Sequence, residues 1–171
     1  MPSLFLTYGP HDERTVEKVK EIHDYLRTEQ SIHCHVDYKD LRTRSMNVNM
    51  WINDNLGRDF VLVGIGKGYT EYTCSYQSTD DTDDPNRSYN GSIFDRLQSE
   101  IIHNGCWNKR YIPILLDGAT DDDLPSILRT TTLYHWPKDQ QKLLDRLLGR
   151  QEFKPPLRGS RPIAVVKSVL G

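Results

Sequence analysis

Ile32-His33-Cys34-His35-Val36 sets two imidazoles and a thiol within three residues, the donor types of a zinc site. Strand alternation sends Cys34 to the face opposite His33 and His35. No second cluster at zinc-finger spacing follows, so an exposed polar face is expected here and no metal. Gly64-Ile65-Gly66-Lys67-Gly68 offers backbone amides to a phosphate, but its spacing is neither that of a dinucleotide fold nor that of a P-loop. A tight strand exit is the expectation. Asp80, Asp81, Asp83 and Asp84 crowd carboxylates into five residues without the alternation or closing glutamate of a calcium loop, and read as an acidic surface loop. Asp121-Asp122-Asp123 stands where a helix would begin, so capping of free amides is expected before metal binding. None of these stretches calls for a cofactor.

The elements that must carry these residues alternate strand and helix. Asp59-Phe60-Val61-Leu62-Val63-Gly64-Ile65-Gly66 is an unbroken apolar run closed by glycines, the pattern of a strand covered on both faces. Leu4 to Tyr8 and Ile32 to Asp37 precede it as strands; Arg110 to Leu116 and Thr131 to Trp136 follow. Helical spacing appears between them, at Val16, Val19, Ile22 and Leu26 after a capping Asp12, at Met50-Trp51-Ile52 with Leu56, at Ile93, Phe94, Leu97 and Ile101, and at Leu143, Leu144, Leu147 and Leu148. Such alternation predicts a parallel sheet with right-handed crossovers. The fold class is therefore α/β, a flavodoxin-like three-layer sandwich of five parallel strands in the order 2-1-3-4-5. Trp51 is expected to clamp its short helix on the sheet. Tyr38 to Asn49 and Thr70 to Gly91 read as long irregular segments.

A chain of 171 residues suits one domain. Its apolar runs are strand-length, short of the ~20 residues that span a bilayer, and the N-terminus lacks a signal-peptide pattern. Cys34, Cys74 and Cys106 are odd in number and widely spaced, which fits a reducing compartment, and the expected location is cytoplasmic, away from membranes. The glycosylation tripeptides at Asn86 and Asn90 then carry no weight. Net charge is −2, but residues 129–171 hold nine Lys or Arg against three Asp or Glu. Opposite poles of this kind favour head-to-tail association or contact with a polyanion.

Several motifs narrow the family. Phe5-Leu6-Thr7-Tyr8 with Asp12, Phe60-Val61-Leu62-Val63 with Tyr69, Tyr111-Ile112-Pro113-Ile114-Leu115-Leu116, and Leu133-Tyr134-His135-Trp136-Pro137-Lys138 resemble the ordered boxes of the SEFIR domain, a TIR relative. Glu152-Phe153-Lys154-Pro155-Pro156-Leu157-Arg158-Gly159 is similar to the segment after the SEFIR domain in CIKS-type adaptors of interleukin-17 receptors. The resemblance implies a SEFIR domain over residues 1–151 with a C-terminal extension, 152–171, packed on it.

By the same resemblance the chain is a cytoplasmic adaptor module. It would pair with SEFIR domains of interleukin-17 receptors and with itself, passing signal toward NF-κB and MAP-kinase pathways. The implied protein-binding residues are Tyr72, Asp80, Asp81, Asp83, Asp84 and Arg87 in the long segment, and Asp95, Arg96, Gln98 and Ser99 on the third helix. Lys39, Arg42 and Arg44 correspond to the BB loop through which TIR domains pair. Complementary charge between the basic and acidic segments gives such pairing speed and selectivity. TRAF-type ligases would be reached through regions outside this chain, which shows no ubiquitin-ligase region. Messenger RNA stem-loops are a further implied partner, met by Arg146, Arg150, Lys154, Arg158 and Arg161, although no aromatic stacking platform is evident in the sequence. An enzymatic alternative is also implied. Some TIR domains cleave NAD with a glutamate on the third helix, and Glu100 aligns there. The TIR pattern Trp-Cys-x-x-Glu is here Arg96-Leu97-Gln98-Ser99-Glu100, so the pocket wall departs from the pattern.

Overall fold

The apolar run at the centre of the sequence forms β3, Phe60–Ile65, and lies at the centre of the sheet. A computed structural model of the chain describes residues 1–36, 48–74 and 85–150, and the side chains of all of these except 48, 49, 74 and 85–89. Five parallel strands run in the order β2-β1-β3-β4-β5, where β1 is Leu4–Gly9, β2 Cys34–Val36, β4 Tyr111–Leu115 and β5 Tyr134–His135. β1 pairs with β3 over its whole length, Leu4 opposite Phe60 through Gly9 opposite Ile65.

Alternation along these strands splits the core in two. Leu4, Leu6 and Tyr8 of β1, Leu62 of β3, and Ile112 and Ile114 of β4 face one cluster. Helix α1, Glu13–Asp24, covers it with Val19 and Ile22, and α5, Gln140–Leu147, with Leu143, Leu144 and Leu147. Phe5, Val61, Val63, Ile65, Tyr111 and Leu115 face the other cluster. Helix α2, Val48–Leu56, supplies Trp51, Ile52 and Leu56 there, and α4, Pro85–His103, supplies Ile93, Phe94, Leu97 and Ile101. Each such side chain, fully buried, stabilises the fold by about 1.5–3 kcal/mol relative to exposure. Trp51 clamps α2 as expected, its ring edge-on to Phe5 at 5.2 Å. Asp12 caps α1 through a 2.8 Å bond from the Thr15 amide.

The strands approach closely at Gly64 inside β3, where a Cβ would sit 3.1 Å from the Cβ of Tyr8 on the neighbouring strand, tighter than ordinary contact.

Several boundaries differ from the sequence reading. The segment read as irregular from Thr70 holds a short helix α3, Tyr69–Cys74, and α4 begins at Pro85, eight residues before Ile93. Proline suits a first helical turn, and the polar run Asn86 to Ser92 concealed the start of the helix because the buried side chain described there is that of Asn90, held by hydrogen bonds. β5 is two residues long; Thr131 to Leu133 lie outside the sheet, linking it to a 3-10 turn, Ser126–Thr130. β2 starts at Cys34 and not at Ile32, which is buried ahead of it with its amide on the Leu26 carbonyl; Asp37, read as its end, lies outside the described residues. Asp59 stays out of β3 and binds the Ser3 amide at 2.8 Å. Asp121–Asp123 caps as expected, but as a 3-10 turn in which Thr120 and Asp123 cap one another.

Candidate interaction surface

Helix α4 buries Ile93, Phe94, Leu97 and Ile101, so its other face is polar. Asp95 and Ser99 are exposed there, and Arg96 and Gln98 half-buried. Arg96 donates to the side-chain oxygen of Asn53, which ties α4 to α2 across the same surface. These four predicted binding residues thus lie together on a rigid backbone. Tyr72 stands apart from them on α3, its ring stacked 6.2 Å from His11, which stacks in turn on Tyr8 at 4.4 Å. The Asn90 amide nitrogen lies 2.6 Å from His11 Nε2 and its oxygen accepts from Thr7 Oγ1 at 3.3 Å. This node of Thr7, Asn90, His11 and Tyr72 joins α3 and α4 to the end of β1. Nothing in the periodicity signalled it; only the polar residue on the buried side of a helix could have.

Most of the remaining predicted residues fall outside the described region. Lys39, Arg42 and Arg44, the four aspartates Asp80, Asp81, Asp83 and Asp84, and Lys154, Arg158 and Arg161 lie outside the described residues, as do the extension 152–171 and the side chain of Arg87. Of the basic residues assigned to RNA, Arg146 donates to Thr131 Oγ1 at 3.3 Å and to the Lys109 carbonyl at 3.2 Å, and Arg150 pairs with Asp145 at 3.7 Å.

In sheets of this topology, ligands bind beyond the carboxyl ends of the strands where the winding reverses, here between β1 and β3. That crevice is filled by the chain itself. The Gly66 amide donates to the Gly9 carbonyl at 2.9 Å, and a Cβ on Gly66 would lie 2.6 Å from Thr15 Oγ1. The Gly68 amide, in the glycine-rich stretch expected to be a tight strand exit, donates to the Asp123 carboxylate at 2.8 Å.

Glu100 sits at the opposite edge, three residues before the end of α4 and beside the residues that lead into β3 and β4. Nη2 of Arg110 reaches both its carboxylate oxygens, while Nη1 donates to the carbonyls of Leu56 at 2.9 Å and Arg58 at 2.6 Å. Arg110 therefore fastens α4 to the turn between α2 and β3. The adjacent phenol of Tyr111 is pushed far above its ordinary value by burial first and then by the Glu100 charge. A cavity of about 420 Å³ opens here, lined by Glu100, Ile101, Asn104, Trp107, Lys109, Arg110 and Tyr111. The arrangement gives Glu100 a charge-pairing role. Sequence reasoning missed Trp107, which is 71% exposed at the rim of this cavity.

On the sheet's other edge, His33 and His35 share a face with rings 4.5 Å apart while Cys34 is buried on the opposite one, so the three donors do not converge.

The chain is similar to several solved structures. The SEFIR domain of IL-17 receptor B superposes with a TM-score of 0.59 at 15% identity, over 88% of this chain and 97% of that one. A prokaryotic SEFIR domain gives 0.59 at 21% identity, covering 93% of this chain and 100% of that one. The TIR domain of the Toll-related receptor TRR-2 from Hydra magnipapillata gives 0.52 at 17% identity, over 88% and 97% of the two chains. These likenesses show the fold. The family model for the SEFIR domain matches residues 2–147, from before β1 to the last residue of α5. With five parallel strands in the TIR-like order and a family match over nearly all of the described region, the chain belongs to the SEFIR domain family.

Proposed function

We propose that this SEFIR domain is the pairing module of a cytoplasmic signalling adaptor, binding SEFIR domains of interleukin-17 receptors and other copies of itself. In this reading it passes signal toward NF-κB and MAP-kinase pathways, and TRAF-type ligases are recruited by regions outside the chain. Residues 1–151 form the module and 152–171 an extension upon it. The observation that carries the reading is the outer face of α4. Asp95, Arg96, Gln98 and Ser99 present mixed charge and hydrogen-bonding groups on a helix anchored by its apolar face in one hydrophobic layer, a surface built to select a partner. Tyr72, the acidic segment around Asp80 to Asp84 with Arg87, and the basic segment of Lys39, Arg42 and Arg44 belong to the same proposal.

The test is affinity for the SEFIR domain of an interleukin-17 receptor, wild type against Arg96→Glu and against deletion of residues 80–84, with NAD consumption followed in the same samples. Binding by the wild type that weakens in either variant, without NAD turnover, supports the module. Turnover abolished by Glu100→Ala, without receptor binding, would make the chain an enzyme. Binding of an mRNA stem-loop that falls on reversal of Arg150 and Arg158, with receptor binding intact, would add RNA as a separate partner.

A further inference from the structure

Helix α4 ends in two successive left-handed residues, Gly105 at φ 67° and Cys106 at φ 66°. The Cys106 amide reaches back to the Ile101 carbonyl and the Gly105 amide to that of Ile102, which closes the helix and turns the chain outward. A left-handed non-glycine residue is strained, and such strain persists where a local structure is over-determined. Here the next residue is fixed on both sides. Asn108 is buried, donates to the Tyr111 carbonyl at 2.8 Å and accepts from the Tyr111 amide at 2.9 Å. Arg146 holds the Lys109 carbonyl.

What this rigid turn displays is Trp107. Four large hydrophobics are exposed among the described residues, and two of them, Trp107 at 71% and Ile102 at 54%, lie on either side of this turn in the chain. Lys109 Nζ stands 5.8 Å from the indole. Lys109, Arg110 and Arg146 bring positive charge to the platform against the carboxylate of Glu100, and a cavity of about 420 Å³ opens at its rim. A preorganised tryptophan beside a pocket, with the Lys109 ammonium next to its ring, has the features of an interface hot spot for an acidic partner surface.

The acidic surface is at the other end of the same strand. β4 starts at Tyr111, just after Lys109 and Arg110, and ends at Leu115, just before Asp117 and the capped turn of Asp121 and Asp122. Both of the latter carboxylates are exposed, whereas Asp123 is engaged with Thr120 and Gly68. Arg14 pairs with Asp117, and Arg129 binds the Asp121 backbone, leaving the turn acidic at its tip. A five-residue strand holds the two poles roughly 16 Å apart or more, so one copy cannot satisfy both. We propose that the Trp107 platform of one copy receives the Asp121-Asp122 turn of a second copy, end to end along β4. Such a contact is heterologous and leaves a free pole at each end. The inference rests on the reading of this domain as a pairing module and names one surface for self-association.

The test is sedimentation velocity of the whole chain across a concentration series, at low salt and at about 0.5 M NaCl, where exposed charges are screened. Wild type is expected to grow in mass with concentration and to revert at high salt. Trp107→Ala should weaken association by ~30-fold or more, the size of a tryptophan hot spot. The double variant Asp121→Lys with Asp122→Lys should do the same, and a mixture of the two variants should form dimers that grow no further, since each retains one intact pole. Urea unfolding of each variant checks that it is folded, and Lys109→Glu, a surface change at the same platform, replaces Trp107→Ala if that variant unfolds.

A wild type that stays monomeric at several hundred micromolar would overturn the proposal, as would variants that associate like wild type or a mixture that fails to pair. Trp107-dependent binding of a single-stranded oligoribonucleotide without self-association would also overturn it, by assigning the platform to nucleic acid. Receptor-domain binding in the same variants separates the two readings. If it is absent while the mixture still pairs, the adaptor function fails and this surface stands.

Discussion

Nη2 of Arg110 lies 2.9 Å and 2.8 Å from the two carboxylate oxygens of Glu100, and the other guanidinium nitrogen is occupied by two backbone carbonyls. The acid is therefore the smaller partner in a structural clasp. Glu100→Gln should lower stability by only about 0.5–1 kcal/mol, since the pair is partly exposed and screened. Arg110→Ala should cost roughly 2–3 kcal/mol, because it strips the carbonyls of Leu56 and Arg58 as well as the carboxylate. Urea midpoints of the two variants measure the difference, and equal losses would contradict the clasp.

Asn90 is a second site where one deletion orphans two partners. It is buried, with Thr7 Oγ1 on its oxygen and His11 on its nitrogen. Asn90→Ala should destabilise by about 1–3 kcal/mol, the cost of leaving buried polar groups unsatisfied. Asn90→Leu should be no milder, since restoring apolar volume leaves Thr7 and His11 without their bonds. Thermal unfolding of both variants decides it.

Gly66 tests the filled crevice between β1 and β3. Its missing Cβ would fall 2.6 Å from Thr15 Oγ1 and 2.9 Å from the Gly9 carbonyl, one a short side chain beneath a helix cap and the other backbone. Gly66→Ala should cost roughly 1–3 kcal/mol by overpacking. Combining it with Thr15→Ser should not restore stability, because the hydroxyl and the carbonyl remain; denaturant titration of the single and double variants measures this.

Acid sensitivity should be traceable to Asp139. The His135 amide, 2.9 Å away, holds this carboxyl below its ordinary value, with His135 and Lys142 adding smaller contributions against a small opposing effect of burial. A lowered value in the folded state means stability that is present above the unfolded-state value of 3.8 and lost as pH falls through the folded one. Asp139→Asn should therefore be less stable than wild type at pH 7, with the gap closing below about pH 4. Unfolding curves at pH 7, 5 and 3 check the sign; a gap that widens in acid would reverse it.

The sheet was legible because its strands are buried on both faces and read as apolar runs, and because glycines at 64 and 66 and the Asp12 cap punctuate them. Strand order, both hydrophobic layers and the four residues on the outer face of α4 follow from that pattern together with the family resemblance. The first turns of α4 were hidden because burial there is polar, and a hydrogen-bonded Asn90 leaves no mark in a hydrophobic period. The clasp role of Glu100 depended on Arg110, ten residues away, whose side chain turns to a helix end that spacing does not locate. Trp107 escaped notice since it lies outside every periodic segment, and nothing in its spacing marks the left-handed turn of Gly105 and Cys106 that exposes it.

Among the described residues, the two outer strands contribute three and two residues to the sheet. So little unpaired backbone gives another protein scarcely any template on which to lay an additional strand. Partners must then be read through side chains on helices and turns, which can be exchanged without touching the sheet. Recognition can diverge while architecture is held, as expected of a lineage whose solved members overlay on this chain at 15–21% identity.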